Sequence, residues 1–392
     1  MAIYLDHAAT TSLLPEVLEG YIVALRAVGN ASSIHSHGQA AKRMLEEARE
    51  RVAAALGCDP VEVIFTSGGT EAVNTAVKGI FWARRATGPR ILLPGGEHHA
   101  TVDAAAWLAA SQGATVEELA VDEEGRLSPA VLEAALAEAS TALVSAVWAN
   151  SEVGTVQPIA ELAEVARRFG VPLHADAVAA FGQVPVDFRS SGLSALSVAG
   201  HKVGAPVGTG ALVLARGTVA EPLVHGGGQQ RGVRSGTQDV AGAVAFGIAA
   251  SLAAERLTES AARVAALRDT LVEGVRATVP GARLRGPEPG PERLPGNAHF
   301  TFDGCDGDSL LLLLDLAGIS VSTGAACQAG VPEVSAVLLA MGVPETEARG
   351  ALRFSLGAET TAGEVDALLR VLPGVVERAR RAGHSDRVPA LR

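Results

Sequence analysis

From residue 15 to about residue 257 the chain alternates short apolar runs with longer helical stretches, and this alternation limits the folds open to it. VEVIFT (61–66), RILL (90–93), ALVSAVW (142–148), VPLHA (171–175) and ALVLA (211–215) are strand-length, β-branched or apolar runs. Between several of them lie Ala/Glu/Arg-rich segments with helical spacing, such as IAELAEVARRF (159–169). Buried strands alternating with helices predict an α/β fold with a mostly parallel sheet covered on both faces. In such sheets ligands gather in the loops beyond the carboxyl ends of the strands.

The rhythm changes after residue 257. A helical pattern over 260–279 leads into the Pro/Gly-rich RGPEPGPERLPGN (285–297), then a strand-like 298–302, a helix over 308–317, a strand-like 320–322 and a closing helix over 362–382. A chain of 392 residues exceeds one ordinary core. The predicted organisation is a large domain at 15–258 and a smaller α/β domain built from 1–14 and 259–392.

Charge and cysteine usage narrow the function. A net charge of −11 argues against nucleic acid or a membrane surface held by charge. Cys58, Cys305 and Cys327 are far apart and odd in number, which gives neither a disulfide framework nor a zinc spacing and points to a reducing compartment. MAIYLDHAATT has no secretory pattern, and the apolar run at 240–254 is short for a membrane span and carries glycine. These features predict a cytoplasmic protein without a metal site.

Four loops carry the chemistry. In VEVIFTSGGTEAVNTAVKG (61–79) a strand enters Ser-Gly-Gly-Thr and then a helix, so free N–H groups and the Thr70 hydroxyl could seat an anion; a plain strand-to-helix turn with Thr70 as cap would look the same. LHADA (173–177) ends a buried strand on Asp176, a carboxylate that is costly there unless it meets a cation, or else caps a helix. GHK (200–202) presents Lys202, one of only three lysines among 32 basic residues; unlike arginine, a buried lysine can lose its proton and act as a base or Schiff-base amine. HGGGQQRGVRSGT (225–237) is a polar Gly-rich loop whose simplest reading is a surface turn. An anion seat, a carboxylate and a lysine, each after a strand of one sheet, are the parts that pyridoxal phosphate needs.

Those loops, with YLDHAATT (4–11), GNASSIHSHG (29–38), EHHA (97–100), GISVSTGAAC (318–327) and LRFSLG (352–357), stand in the order found in cysteine desulfurases. The chain resembles the NifS/IscS group of fold-type I, class V aminotransferase-like enzymes from Tyr4 to about Gly357. The resemblance implies Lys202 as the Schiff-base lysine, Asp176 at the pyridine nitrogen and His98 over the ring, where it also moves protons, with His99 a bystander. It implies Thr70, the Gly69 backbone and His201 at the phosphate, joined by Thr237 from the partner of a homodimer. Cys327 would take the sulfur and Arg353 the substrate carboxylate. A thiolate is the strong nucleophile among side chains, and an arginine fork matches a carboxylate. Cys58 and Cys305 fit structural roles.

The implied reaction converts L-cysteine to L-alanine, leaves a persulfide on Cys327 and delivers it to an acceptor such as an Fe–S scaffold protein. Three pocket positions depart from the family pattern. Ser151 replaces the second asparagine of a pair, with Asn150 as the neighbour able to substitute at the substrate; Ala179 replaces a glutamine; Ala199 replaces a phosphate-binding serine. Ala326 also replaces a usual serine beside Cys327. Altered C–S or C–Se lyase specificity, or a catalytically silent sulfur-relay scaffold, are the alternatives these changes leave open.

Overall fold

The computed structural model describes residues 2–324 and 334–385; Cys327 and Ala326 lie outside the described residues. In chain order the first strands are β1 (Ile3–Tyr4), β2 (Val63–Thr66), β3 (Arg90–Pro94), β4 (Thr115–Leu119), β5 (Thr141–Val147) and β6 (Leu173–Asp176). There follow β7 (Ala195–Ala199), β8 (Gly210–Leu214), β9 (Ala282–Arg285), β10 (Asn297–Phe302), β11 (Ile319–Ser320) and β12 (Ala351–Ser355).

Seven of these strands form one sheet in the order β2-β8-β7-β6-β5-β3-β4. Its pairs are parallel except where β8 meets β2 and β7, so β8 alone runs against the others. Side chains alternate across it: Val63, Phe65, Leu196 and Val198 enter one core, whereas Ile64, Ile91, Leu212 and Leu214 enter the core on the opposite face. Both faces are therefore dry, which explains why these strands read as unbroken apolar runs. The expected strand at 61–66 begins at Val63, because Pro60–Glu62 forms a tight turn beneath it. Two strands escape the apolar-run reading. The edge strand β4 (TVEEL) is largely exposed, and β7 (ALSVA) runs directly into the Ala-Gly-His-Lys loop.

The C-terminal part builds its own sheets. β9, β10 and β12 form an antiparallel sheet in the order β12-β10-β9, and β1 pairs in parallel with β11. Phe300, Phe302, Phe354, Leu368 and Leu372 pack there into a separate core.

One helix, Val240–Thr278, runs through both regions. The apolar run at 240–254 and the helical pattern at 260–279 are its two halves, and the boundary placed at residue 258 falls inside it. Among the described residues it is the one helix apolar and long enough to cross a membrane. Its apolar residues are spent elsewhere: Ala245, Phe246 and Ala249 fill the core of the large sheet, and Leu271, Val272 and Val275 fill the core of the small one. Phe246→Ala is expected to cost about 3–5 kcal/mol and Leu271→Ala about 2–5 kcal/mol in urea unfolding, while the exposed Glu255→Gln stays within about 0.5 kcal/mol.

Candidate active site

Strand direction assembles the site. The loops leaving the carboxyl ends of β2, β3, β5 and β7 carry Gly69 and Thr70, His98, Asn150 and Ser151, and His201 and Lys202 respectively, while β6 ends on Asp176 itself. With Arg353 from β12, these residues line one cavity of about 520 Å³. Ala179 and Ala199 line it as well. Thr237 does not; it borders a second cavity with Thr66, Ser67 and Arg234.

Helix Gly69–Arg84 starts at the cavity with Gly68 as its cap and no side chain on its first N–H groups. A Cβ on Gly69 would come within 2.7 Å of Val178 Cγ2, so only glycine brings this backbone so close to the β6 loop. His201 adds a ring that burial, and then the Lys202 charge, lower to a pKa of about 4, so it is neutral near pH 7. Its Nδ1 lies 3.3 Å from Thr10 Oγ1.

Asp176 is buried, and its Oδ1 accepts the Val178 N–H at 2.9 Å. Burial raises the Asp176 carboxyl and lowers the His98 imidazole, each partly offset by the other's charge. His98 caps helix His99–Gln112: its Nδ1 accepts the Ala100 N–H at 3.1 Å. A neutral His98 therefore carries its proton on Nε2. His99 also borders the cavity, with Nδ1 3.7 Å from Asp103 Oδ1.

Lys202 Nζ donates to the carbonyl oxygens of Ala8 and Ala9. Burial and then the Arg353 charge pull its pKa down to about 8. Arg353, 5% exposed, pairs with Asp6 Oδ1 at 2.7 Å and donates from Nη1 to the Ser151 carbonyl at 3.1 Å. Asn150 is committed to its own loop: Oδ1 accepts the N–H groups of Glu152 and Val153, and Nδ2 donates to Gly96 O. It has one N–H left, so it is a poor stand-in for the missing second asparagine.

Several polar groups in and behind the cavity wall were not singled out from sequence. Glu97 is buried in the cavity wall, and its Oε1 accepts the Val147 N–H at 2.7 Å; burial, with Asp176 nearby, holds its carboxyl well above the usual range. His174, two residues before Asp176, bridges Ser145 Oγ at 2.8 Å and Ser197 Oγ at 2.9 Å, tying β5, β6 and β7 together. Asp6 stood in view within YLDHAATT, but only the fold shows its partner. Cys58 and Cys305 are free, buried thiols; burial pushes Cys58 up to about 12 and raises Cys305, as fits structural residues.

This architecture and these loops are shared with known enzymes. Residues 3–368 match the aminotransferase class-V family, and the chain belongs to that family. It is 55% identical over 383 residues to the IscS-like cysteine desulfurase of Mycobacterium tuberculosis, covering 97% of each chain. A solved NifS-like protein superposes with a TM-score of 0.88 at 34% identity, covering 96% of this chain and 100% of the other. A second solved structure, SspA in complex with cysteine, gives 0.79 at 30% identity, over 92% of this chain and 100% of that one.

The residues present fit pyridoxal phosphate, the cofactor of this family. An uncapped helix start suits a phosphate, a buried carboxylate suits a ring N–H⁺, and a lysine of lowered pKa suits an aldehyde. Ala199 and Ala179 line this cavity without bringing a side-chain donor to it.

Two titrations check the electrostatics. After reductive ¹³C-methylation, Lys202 of the cofactor-free chain is expected to titrate with a midpoint of about 8 by NMR, below the ordinary lysine value of 10.5. His174 and His299 are fully buried, and burial lowers both from 6.5 to about 3. Their contribution to stability is full above pH 6.5 and falls as the pH drops toward 3, since the unfolded chain then binds protons the folded one refuses. Urea unfolding at pH 7 and pH 5 should show a loss of about 1.4 kcal/mol per pH unit for each ring below its ordinary pKa.

Proposed function

We propose that the protein is a pyridoxal-phosphate-dependent cysteine desulfurase that takes sulfur from L-cysteine, releases L-alanine and passes the sulfur on from Cys327. The observation that carries this reading is the meeting of Lys202, Asp176, His98 and Arg353 in one cavity at the carboxyl edge of the sheet. Bound pyridoxal phosphate supplies an aldehyde that joins amines and a ring that holds the electrons released when a Cα–H bond breaks.

The protein's own groups divide the remaining work. Asp176 holds the ring nitrogen protonated, which at the same time compensates the desolvation of its carboxylate. Gly69, Thr70 and the neutral His201 hold the phosphate. Lys202, with a pKa of about 8, is in part neutral near pH 7–8, so its amine would hold the cofactor through its aldehyde and could take up a proton from the substrate Cα. His98 faces the same chemistry with its proton on Nε2. Arg353 receives the substrate carboxylate on the N–H groups that Asp6 and Ser151 leave.

The Cys327 thiolate then attacks the substrate sulfur. The new S–S bond forms as the Cβ–S bond breaks, its electron pair stays with the three-carbon remainder, and protonation of that remainder yields alanine. The chain acts as a soluble cytoplasmic homodimer in which Thr237 of each protomer serves its partner's phosphate seat. An Fe–S scaffold protein, or another thiol-bearing acceptor, receives the persulfide sulfur. The large domain at 15–258 carries the cofactor, with 1–14 and 259–392 closing the substrate side.

Ser151 and Ala179, together with the committed Asn150 amide, favour one second reading: a C–S or C–Se lyase of altered specificity on the same residues. Product analysis decides. Protein with pyridoxal phosphate and L-cysteine is expected to form alanine and a persulfide, and Cys327→Ala to reduce both below detection while the yellow cofactor band persists. Pyruvate and ammonia would indicate elimination instead. Full turnover by Cys327→Ala would overturn the assignment.

A further inference from the structure

The segment just after β1 touches two groups of the site at once. Asp6 pairs with Arg353 at 2.7 Å, and the carbonyls of Ala8 and Ala9 accept from Lys202 Nζ. Its backbone is held from several sides. Leu5 N donates to Ser320 O at 2.9 Å, Ser355 N to Leu5 O at 2.8 Å, His7 N to Ser355 O at 3.2 Å, and Ala8 N to Ser355 Oγ at 2.9 Å. Asp6 itself bridges Ser355, two residues along β12 from Arg353. The carboxylate is thus fixed by the very strand whose guanidinium it meets.

Arg353 depends on it. The guanidinium side chain is 6% exposed, and Asp6 is the carboxylate paired with it among the described residues. Its Nε has no partner among those residues. Two of the five N–H donors of an arginine are engaged, one by Asp6 and one by the Ser151 carbonyl, so the planar group is pinned at both terminal nitrogens. Arginine binds a carboxylate through a rigid planar fork, so whatever fixes the plane sets how a substrate carboxylate can be met.

We propose that Asp6 is a positioning residue for Arg353, clamping its guanidinium so that the remaining N–H groups present a carboxylate site to the Lys202 cavity. This deepens the desulfurase reading and rests on it for the identity of the substrate. The same carboxylate acts on Lys202. Arg353 lowers the Lys202 pKa, whereas Asp6 and Asp176 raise it; His98 and His201 are the other titratable rings facing the amine. Removing the Asp6 charge without changing its shape therefore has two separate signatures.

Asp6→Asn is expected to raise KM for L-cysteine roughly tenfold, the scale of a lost charged hydrogen bond, while kcat changes less. In the cofactor-free chain it should move the Lys202 midpoint, read by ¹³C-methyl NMR, below that of the unaltered protein. Asp6→Glu keeps the charge but displaces it, so the midpoint should hold and KM should rise by a smaller factor. A merely structural ion pair would lower the melting temperature and leave KM unmoved, since the effect of the Asp6 charge on the Lys202 midpoint does not depend on where the guanidinium points. Folded Asp6→Asn with unchanged KM or an unchanged Lys202 midpoint overturns the proposal, as does Asp6→Glu with losses equal to those of Asp6→Asn. If Asp6→Asn does not fold, an unchanged KM in Asp6→Glu overturns it. Failure of the unaltered protein to form alanine would instead overturn the desulfurase reading, and the NMR midpoint would still decide what Asp6 does to Lys202.

Discussion

Because all but one strand of the large sheet run the same way, their carboxyl ends fall along one edge, and the loops that leave β2, β3, β5 and β7 converge there beside Asp176. The rest of the site depends on this. Helix starts, which carry unpaired N–H groups, face that edge, whereas residues within the strands are sealed between two dry cores. An open helix start and a buried carboxylate are thus products of one backbone direction. The His174 bridge to Ser145 and Ser197 reinforces it, since it locks the three strands that deliver Asn150, Asp176 and Lys202. Both hydroxyls and the ring are fully buried, so this bond pair fixes register in a region where plain apolar packing tolerates small shifts.

Charge in the cavity is balanced in a chain of neighbours. Asp176 faces His98 and Lys202, Lys202 faces Arg353, and Arg353 is held by Asp6. Each group is costly to bury alone, and each is made tolerable by the next. The order has a chemical use: a lysine between two carboxylates and an arginine sits near the point where it exchanges its proton in neutral solution.

The large sheet was legible because strands buried on both faces leave continuous apolar runs. β4 was not, since an edge strand that shows Glu117 and Glu118 to solvent has no such run. β7 was hidden because its small residues merge into Ala-Gly-His-Lys. Lys202, Asp176 and Thr70 were visible as chemistry, each being a residue type that is out of place after a buried strand unless it has work there. The pairing of Asp6 with Arg353 was not, because contacts separated by 347 positions leave no periodic trace. The commitment of the Asn150 amide was equally hidden: an asparagine beside a cavity and one folded into its own turn spell the same letter. Sequence also divided helix Val240–Thr278 into two pieces, since between Ala250 and Val264 it has no buried residue to carry the apolar pattern across.

That helix has a mechanical consequence. Between Ala250, in the first core, and Val264, in the second, it contributes no buried residue. The two cores are joined there by a helical rod held along its sides, by Leu252 against the first core and by Arg263 on the Thr360 and Ala358 carbonyls. A helix resists stretching but yields to slight curvature, so any swing of the C-terminal layers over the cavity must be taken up as flexure of this rod. The strap around Asp6 is a second tie, bonded to Ser320, Ser355 and Lys202. A reorientation of even a few degrees would therefore be felt first at the Arg353 end of the cavity, while Asp176, set in the sheet, stays still.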